Sequence, residues 1–443
     1  MTIRLAVAVA LGATLAVAAP SLPAGAQPPG APPPSPLQVA GRLLTLDEVV
    51  NIALESQPQI QARLGDYAAA RYRVDQAMAP LLPQLTAGVS AARSQTSTVS
   101  SSSGRTITAL NEFGDTLQAN IALSQLLFDF GKNLAKRDAD RKLAEVALED
   151  IELQRQFIAL AAKEAYTNML FAQRLIRVQR QAVERAELNL KSARGFFDVG
   201  TRPKSDVTRA EVDVANARVD LIRARNAERL ARVALNTAMG LDVDMPTQVQ
   251  DNLVFEPFSL DRAQARAEAL RQRPEYRQAR LRVEAADASE RQAFRNFFPD
   301  VTGSGTYGGT RAELAEVWTL TLSLSWSLYD GGGRIARYRE AKANLEASRA
   351  RVRVTELDIV QQLEQAQISV EEAQERIQAA QALVASAQEN FRLAQGRFDA
   401  GVGTILELTD AQLALTQAQN TETQALADYR IAIYRLDRFR GRR

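Results

Sequence analysis

Two kinds of hydrophobic spacing run along this chain. Between residues 317 and 328 they alternate strictly: Trp318, Leu320, Leu322, Leu324, Trp326 and Leu328 are separated by Thr319, Thr321, Ser323, Ser325 and Ser327. Such period-two alternation predicts a strand with one apolar and one polar face. A weaker version runs through Leu117, Ala119, Ile121 and Leu123, set against Gln118, Asn120 and Ser124, and shorter alternating segments precede each at 85–92 and 301–308. The pattern predicts two hairpins, four strands in all. Elsewhere the spacing alternates between three and four residues, through Ile359, Leu363, Ala366, Val370, Ala373, Ile377, Ala380, Val384, Ala387, Phe391, Ala394 and Phe398. This is a heptad seam in which large residues alternate with alanine, so that helix backbones approach closely and supercoil to the left. Met169, Ala172, Ile176, Val183, Ala186, Leu190, Ala193 and Phe197 keep the same register, interrupted at Gln179. Stretches 131–200 and 332–401 lack proline and, apart from Gly195, Gly333 and Gly396, carry glycine only at their ends. Each predicts a helix of about 70 residues, roughly 100 Å long at 1.5 Å per residue. Val207, Ala210, Val214, Ala217 and Leu221, and likewise Leu408, Ala411, Leu415 and Ala418, predict helices that fold back from tips near Gly200 and Gly401.

The plan occurs twice. Pro58 and Pro274 stand at expected first helical positions, and Leu81-Leu82-Pro83 matches Phe297-Phe298-Pro299, with both proline pairs 216 residues apart (58 to 274, 83 to 299). Further on, Phe128 matches Tyr329, Gly131 matches Gly332, Phe197 matches Phe398 and Gly200 matches Gly401, each 201 apart (131 to 332, 200 to 401). The first copy is therefore longer in between, and the surplus falls on the Ser-rich tract 94–104, which reads as a loop tip that tolerates insertion. Thr45 and Glu48 form a capping box at the head of the first copy, and Ser259-Leu260-Asp261 opens the second. The repeats are expected at 45–257 and 258–443. The return helix 203–239 and the Pro-started helix 274–297 together equal about one rod, which predicts that they stack through a joint at 240–258.

Composition narrows the function. With 54 basic and 52 acidic side chains interspersed along the chain, no basic face is available for nucleic acid. Cysteine and histidine are absent, which removes thiol nucleophiles, imidazole bases and the usual soft metal ligands, so no enzyme, cofactor or metal site is expected. At the N-terminus, Arg4, an apolar run over 5–19 and Ala24-Gly25-Ala26 predict a signal peptide at 1–26, cleaved before Gln27 and followed by a Pro-rich linker at 27–44. No later segment is apolar for the roughly 20 residues that a membrane-spanning helix requires. The strands, apolar on one face with Trp near both ends, instead match barrel strands in lipid. Four strands cannot close when about eight is the smallest barrel, and an open edge in lipid leaves backbone groups unsatisfied. Strands must be pooled between chains; two copies give eight and three give twelve, and the duplication does not choose.

Strand hairpin, long helix, glycine tip and return helix in duplicate resemble the TolC-family outer-membrane factors over nearly everything after the linker. The most specific residues are Phe197-Asp198-Val199-Gly200-Thr201 with Ser205-Asp206-Val207, and Phe398-Asp399-Ala400-Gly401-Val402-Gly403-Thr404 with Leu406-Glu407-Leu408. Leu127-Phe128-Asp129-Phe130-Gly131 and Leu328-Tyr329-Asp330-Gly331-Gly332 support them at the strand-to-helix junctions. The resemblance implies a mixed, mainly α fold: a homotrimer with a twelve-stranded β-barrel in outer-membrane lipid, continued by a long periplasmic α-helical coiled-coil barrel. It implies an outer-membrane channel component of a tripartite efflux or type I secretion system, in which a periplasmic membrane-fusion adaptor meets the tips and an inner-membrane pump supplies the cargo. Tip positions that carry over as adaptor contacts are Val199, Gly200, Thr201, Ala400, Gly401, Gly403 and Thr404. The family's narrow entrance, ringed by acids, maps to Glu407 and Asp410, three apart on one helix face, with Asp206 and Phe398 beside them. Phe398 and Gly403 stand where well-known members carry an aromatic hydroxyl and an arginine that lock the mouth, so Asp206 is expected to lack its bonding partners.

A periplasmic adaptor or structural coiled-coil protein of the envelope is the competing reading. It accounts for helical hairpins but not for their duplication or for lipid-facing strands. Cargo is not legible in the sequence.

Overall fold

The computed structural model describes residues 41–102, 105–310 and 316–443. The expected signal peptide at 1–26 and all but the last residues of the expected linker lie outside them. The described elements follow the order β1 Leu43–Leu44, α1 Leu46–Ser56, α2 Pro58–Met78, β2 Gln84–Ser102, β3 Arg105–Phe128, α3 Lys132–Asp198, α4 Lys204–Met239, β4 Gln248–Val249, α5 Arg262–Gln272, α6 Pro274–Arg295, β5 Asp300–Thr310, β6 Glu316–Ser325, α7 Gly333–Asp399 and α8 Ile405–Phe439. Local chemistry sets the starts. Thr45 and Glu48 exchange the two hydrogen bonds of a capping box ahead of α1. The Asp261 carboxylate accepts from the Ala263 amide ahead of α5, and proline opens both α2 and α6.

Helices α3 and α7 are 67 residues each. Along α7 the heptad positions Ile359, Leu363, Val370, Ile377, Ala380 and Phe398 are buried, and α8 answers with Leu408, Ala411, Leu415 and Ala418. Helix α3 packs on α4 in the same way but also meets α2, α6 and α8. Gln179, which interrupts its heptad, is buried and donates to Asn420 Oδ1 of α8 at 3.3 Å. The interruption marks a place where α3 faces α8 as well as α4.

The stacking of short helices differs from expectation. At the end of α4, Gly240 has φ +71°, and a Cβ there would lie 3.0 Å from the Ser56 carbonyl oxygen. Gln57 Nε2 donates to the last carbonyls of α4, on Thr237 and Ala238. Helix α4 therefore runs end to end into α2, not α6. Helix α8 meets α6 likewise, with Gly441 (φ +89°) against Gln272 and Arg273. Segment 240–258 is not the joint, because it is held to one side. β1 pairs in parallel with β4, Tyr166 Oη donates to the Gln250 carbonyl at 2.6 Å, and Tyr429 Oη donates to the Glu256 carbonyl at 2.7 Å. Burial pushes the Tyr166 pKa up to about 12.

The four long strands form one antiparallel sheet in the order β2-β3-β5-β6. Register aligns their apolar positions: Leu85 lies opposite Leu123, then Gly305 and Leu320, and Ala87 opposite Ile121, then Tyr307 and Trp318. All four strands thus place apolar side chains on one face, where Trp318, Leu320, Leu322 and Leu324 are 65% to 81% exposed. Thr86, Asn120, Thr306 and Thr319 share the other. The Ser-rich tract expected as a loop continues β2 as far as Ser102 and pairs with β3 from Arg105 onward. Thr96, Thr98 and Val99 favour extended backbone, and ladder hydrogen bonds need no apolar face. The first hairpin consequently outreaches the second.

Candidate functional site

Each long helix reverses within five residues, at 199–203 and 400–404. Gly200 (φ +75°) and Gly401 (φ +79°) take the left-handed conformation that ends a helix, and each amide returns to a carbonyl three residues back, on Phe197 or Phe398. In the first turn the Thr201 amide and hydroxyl both donate to the Phe196 carbonyl. In the second, the Val402 and Gly403 amides share the Arg397 carbonyl, and a Cβ on Gly403 would lie 2.9 Å from Arg397 Cβ. Thr404 caps α8 by accepting from the Glu407 amide.

One side chain joins the two turns. Arg202 donates to the Gly403 carbonyl, lies 3.5 Å from the Asp206 carboxylate, and stacks 4.4 Å above the Phe398 ring. Phe196 meets Phe398 edge-on at 5.6 Å. Arg202 and Asp206 are only 13% and 14% exposed, so their attraction is not dissipated by water as it is at an open surface. Arg202 and Gly403 are themselves counterparts, 201 residues apart (202 to 403). The missing side chain at 403 leaves the carbonyl open to the guanidinium supplied by the other copy.

Of the expected gate residues, Glu407 and Asp410 are exposed on α8's first turns. Glu407 has Arg397 at 3.6 Å, a neighbour the sequence did not suggest. Contrary to expectation, Asp206 has a partner, because Arg202 sits one turn before it. Phe398 does not line the face carrying the acids: it is fully buried with Ile405 and Leu408, where it anchors the turn. Val199, Gly200, Thr201, Ala400, Gly401 and Thr404 are exposed, whereas Gly403 is buried. Arg202 and Phe196 were missed. The signal available for Arg202 was its position opposite a glycine in the repeat.

Further from the tips, polar groups join the two helix pairs. Asn189 Nδ2 donates to Gln412 Oε1 at 2.7 Å, and Thr409 Oγ1 donates to Asp213 Oδ2 at 2.8 Å. Within each pair an apolar seam is flanked by ion pairs such as Arg218–Glu187 and Arg376–Asp428, while amides and hydroxyls among the groups between the pairs can exchange partners. Among the described residues no acid cluster is arranged to hold a metal, and no helix is long and apolar enough to cross a membrane.

The chain matches the family model described as outer membrane efflux protein over residues 49–241 and 265–442. It is 25% identical over 407 residues to the alkaline protease secretion protein AprF of Pseudomonas aeruginosa, covering 88% of this chain and 83% of that one. Among solved structures, it resembles the CmeC outer membrane channel of Campylobacter jejuni with TM-score 0.77 at 17% identity, over 89% of this chain and 85% of CmeC. The open state of the MtrE outer membrane channel of Neisseria gonorrhoeae gives 0.73 at 20% identity, over 90% and 89%. These structural likenesses concern the fold alone. With the family model covering most of its length, the chain belongs to the outer membrane efflux protein family, and is an outer-membrane channel protein rather than an enzyme.

Proposed function

We propose that three copies of this chain close into one duct through the outer membrane and periplasm, with the paired hairpin tips as its gate. The observation that carries this reading is the sheet: an exposed apolar face flanked, among the described residues, by two unpaired edges, on β2 and β6. Each unsatisfied backbone group in lipid costs several kcal/mol. A strand edge of ten residues would cost more than the roughly 5–15 kcal/mol that holds a domain together. The edges must therefore close against other copies. The helices continue them, since α7 lies at one side and α2 and α4 at the other. Exposed stripes support the same seam, with Leu357, Ile368 and Leu383 on α7, and Val212, Val219 and Ile222 on α4. One side meeting the other is a head-to-tail contact, which makes a ring when its rotation closes.

At the periplasmic end, Glu407 and Asp410 from three copies supply six carboxylates around the entrance, and Arg202 ties the α7–α8 tip to the α3–α4 tip. Release of Arg202 frees α7–α8 to slide along its polar seam. The exposed residues at 199–201 and 400–404 are the surface for a periplasmic adaptor, through which an inner-membrane pump delivers cargo. The likeness to AprF makes a secreted polypeptide the first cargo to test. Planar-bilayer recording tests the gate. Replacing Glu407 and Asp410 together by alanine is expected to raise resting conductance and weaken block by multivalent cations; unchanged conductance and block would remove the acids from the gate.

A further inference from the structure

We propose that the joint between α8 and α6 binds a small inorganic monoanion, of the charge and size of chloride, between the guanidinium groups of Arg273 and Arg438. The two copies of the repeat close the same joint with different charges. In the first, Gln57 is the single residue between α1 and α2, and its Nε2 donates to the Thr237 and Ala238 carbonyls at the end of α4. In the second, Gln57 is replaced by Arg273 (57 to 273, 216 apart), Gln59 by Glu275 (59 to 275) and Thr237 by Arg438 (237 to 438, 201 apart). Neutral side chains therefore suffice to make the joint. The second copy holds two cations and one acid there instead, a surplus of one positive charge.

The surplus is shielded from water. The side chains of Arg273 and Arg438 are 4% and 13% exposed, and since the groups around them belong to one chain, assembly into a ring can only bury them further. Arg273 grips Glu275 with Nε at 3.3 Å and Nη2 at 2.8 Å, and Nη2 also donates to Gln362 Oε1 at 2.9 Å. Arg438 reaches the same carboxylate only at 3.8 Å. Its guanidinium lies 3.7 Å above the Phe157 ring, and the Phe439 ring stands 5.6 Å from Arg273 and 5.4 Å from Arg438. Two buried N–H groups are left without an acceptor, Nη1 of Arg273 and Nε of Arg438. Burial lowers the Arg438 pKa, Glu275 opposes the shift and Arg273 adds to it. The neighbouring acids are already engaged, Glu164 by Arg435, and Glu268 and Asp437 by Arg440. A shielded cation without a counter-charge and a buried N–H without an acceptor are both costly, and one monoanion removes both costs. Chloride is an acceptor only and tolerates the flanking rings, whereas a carboxylate brings about four lone-pair sites, more than two donors satisfy. Gln362 and Phe439 also line a groove of about 510 Å³ between α7 and α8, which gives the ion a way in.

Thermal unfolding of the purified protein in detergent tests the site, at fixed pH and ionic strength with chloride exchanged for gluconate, which is too bulky to enter. The wild-type midpoint is expected to rise with chloride and to saturate. R438T, which restores the residue of the first copy, should abolish the rise. E275Q leaves both cations facing the ion, and should lower the half-saturating chloride concentration about tenfold. A wild-type midpoint that ignores the exchange, an equal rise in R438T, or a half-saturation unmoved by E275Q would overturn the proposal. Crystals of the wild-type protein soaked in bromide give a second readout that needs no variant to fold. Anomalous density is expected against Arg273 Nη1 and Arg438 Nε, and density only at other cations would overturn the assignment.

Discussion

Arg202 concentrates the chemistry of the tips in one side chain. Replacing it by alanine removes the tie to Gly403 and leaves Asp206 shielded from water without its cation, a change of about 3 kcal/mol by the usual cost of breaking a shielded pair. The expected result is a higher resting conductance with the assembly intact, read in planar bilayers, and partial recovery in Arg202→Lys, which keeps charge but not the flat stacking surface over Phe398. The glycines separate two other effects. Gly401→Ala meets open space but a left-handed backbone, and is expected to cost about 1 kcal/mol in denaturant unfolding. Gly403→Ala meets backbone at 2.9 Å, so its loss should exceed that of Gly401→Ala, and it should open the gate as well. Equal losses would show that the close approach at 403 is unimportant. The exposed acids Glu407 and Asp410 were legible from spacing and family pattern alone. Arg202 was not, because its role depends on a carbonyl 201 residues away that no local pattern announces (202 to 403).

Among the elements, the joint between α8 and α6 makes the clearest pH prediction. Burial pushes the Glu268 carboxyl up, but the guanidinium groups of Arg442 and Arg440 outweigh it and hold its pKa below the ordinary 4.5. Glu275 follows the same course, with Arg273 prevailing over burial. A carboxylate with a depressed folded pKa adds stability that is complete above its unfolded value and is lost as pH falls through the folded one. The joint should hold its thermal midpoint from neutral pH down to the ordinary glutamate range and lose it below. Glu268→Gln should be less stable at neutral pH and show a shallower acid loss; a wild-type slope in the variant would place the acid sensitivity elsewhere. Helices and strands were readable because periodicity is a local property. The partner in each stack was not, since lengths alone fit α4 to α6 as well as to α2, and the choice falls to Gly240 against Ser56 and Gln57. The full reach of β2 was hidden for a related reason, because a serine-rich composition describes side chains while strand pairing is made by the backbone.

For the whole molecule, the proposed ring predicts a protein mass three times that of one chain after detergent extraction, once bound detergent is subtracted. A monomer there, or a dimer, would end the twelve-stranded reading. Because the chain has no cysteine, single introduced pairs can probe each seam without a background. A pair across β6 of one copy and β2 of the next should join chains into covalent trimers on oxidation, and a pair across α3 and α8 should not. The two equal 67-residue helices carry a consequence for descent. A ring of three such chains is a ring of six nearly alike half-chains, so its ancestor can have been a sixfold assembly of a shorter polypeptide. Fusion of the halves would have freed every second position to diverge. In that light the unequal pairs, Thr237 with Arg438 and Arg202 with Gly403, are where heredity has had room to assign separate tasks, and a library confined to such pairs should alter transport more often than one spread over the matched helical seams.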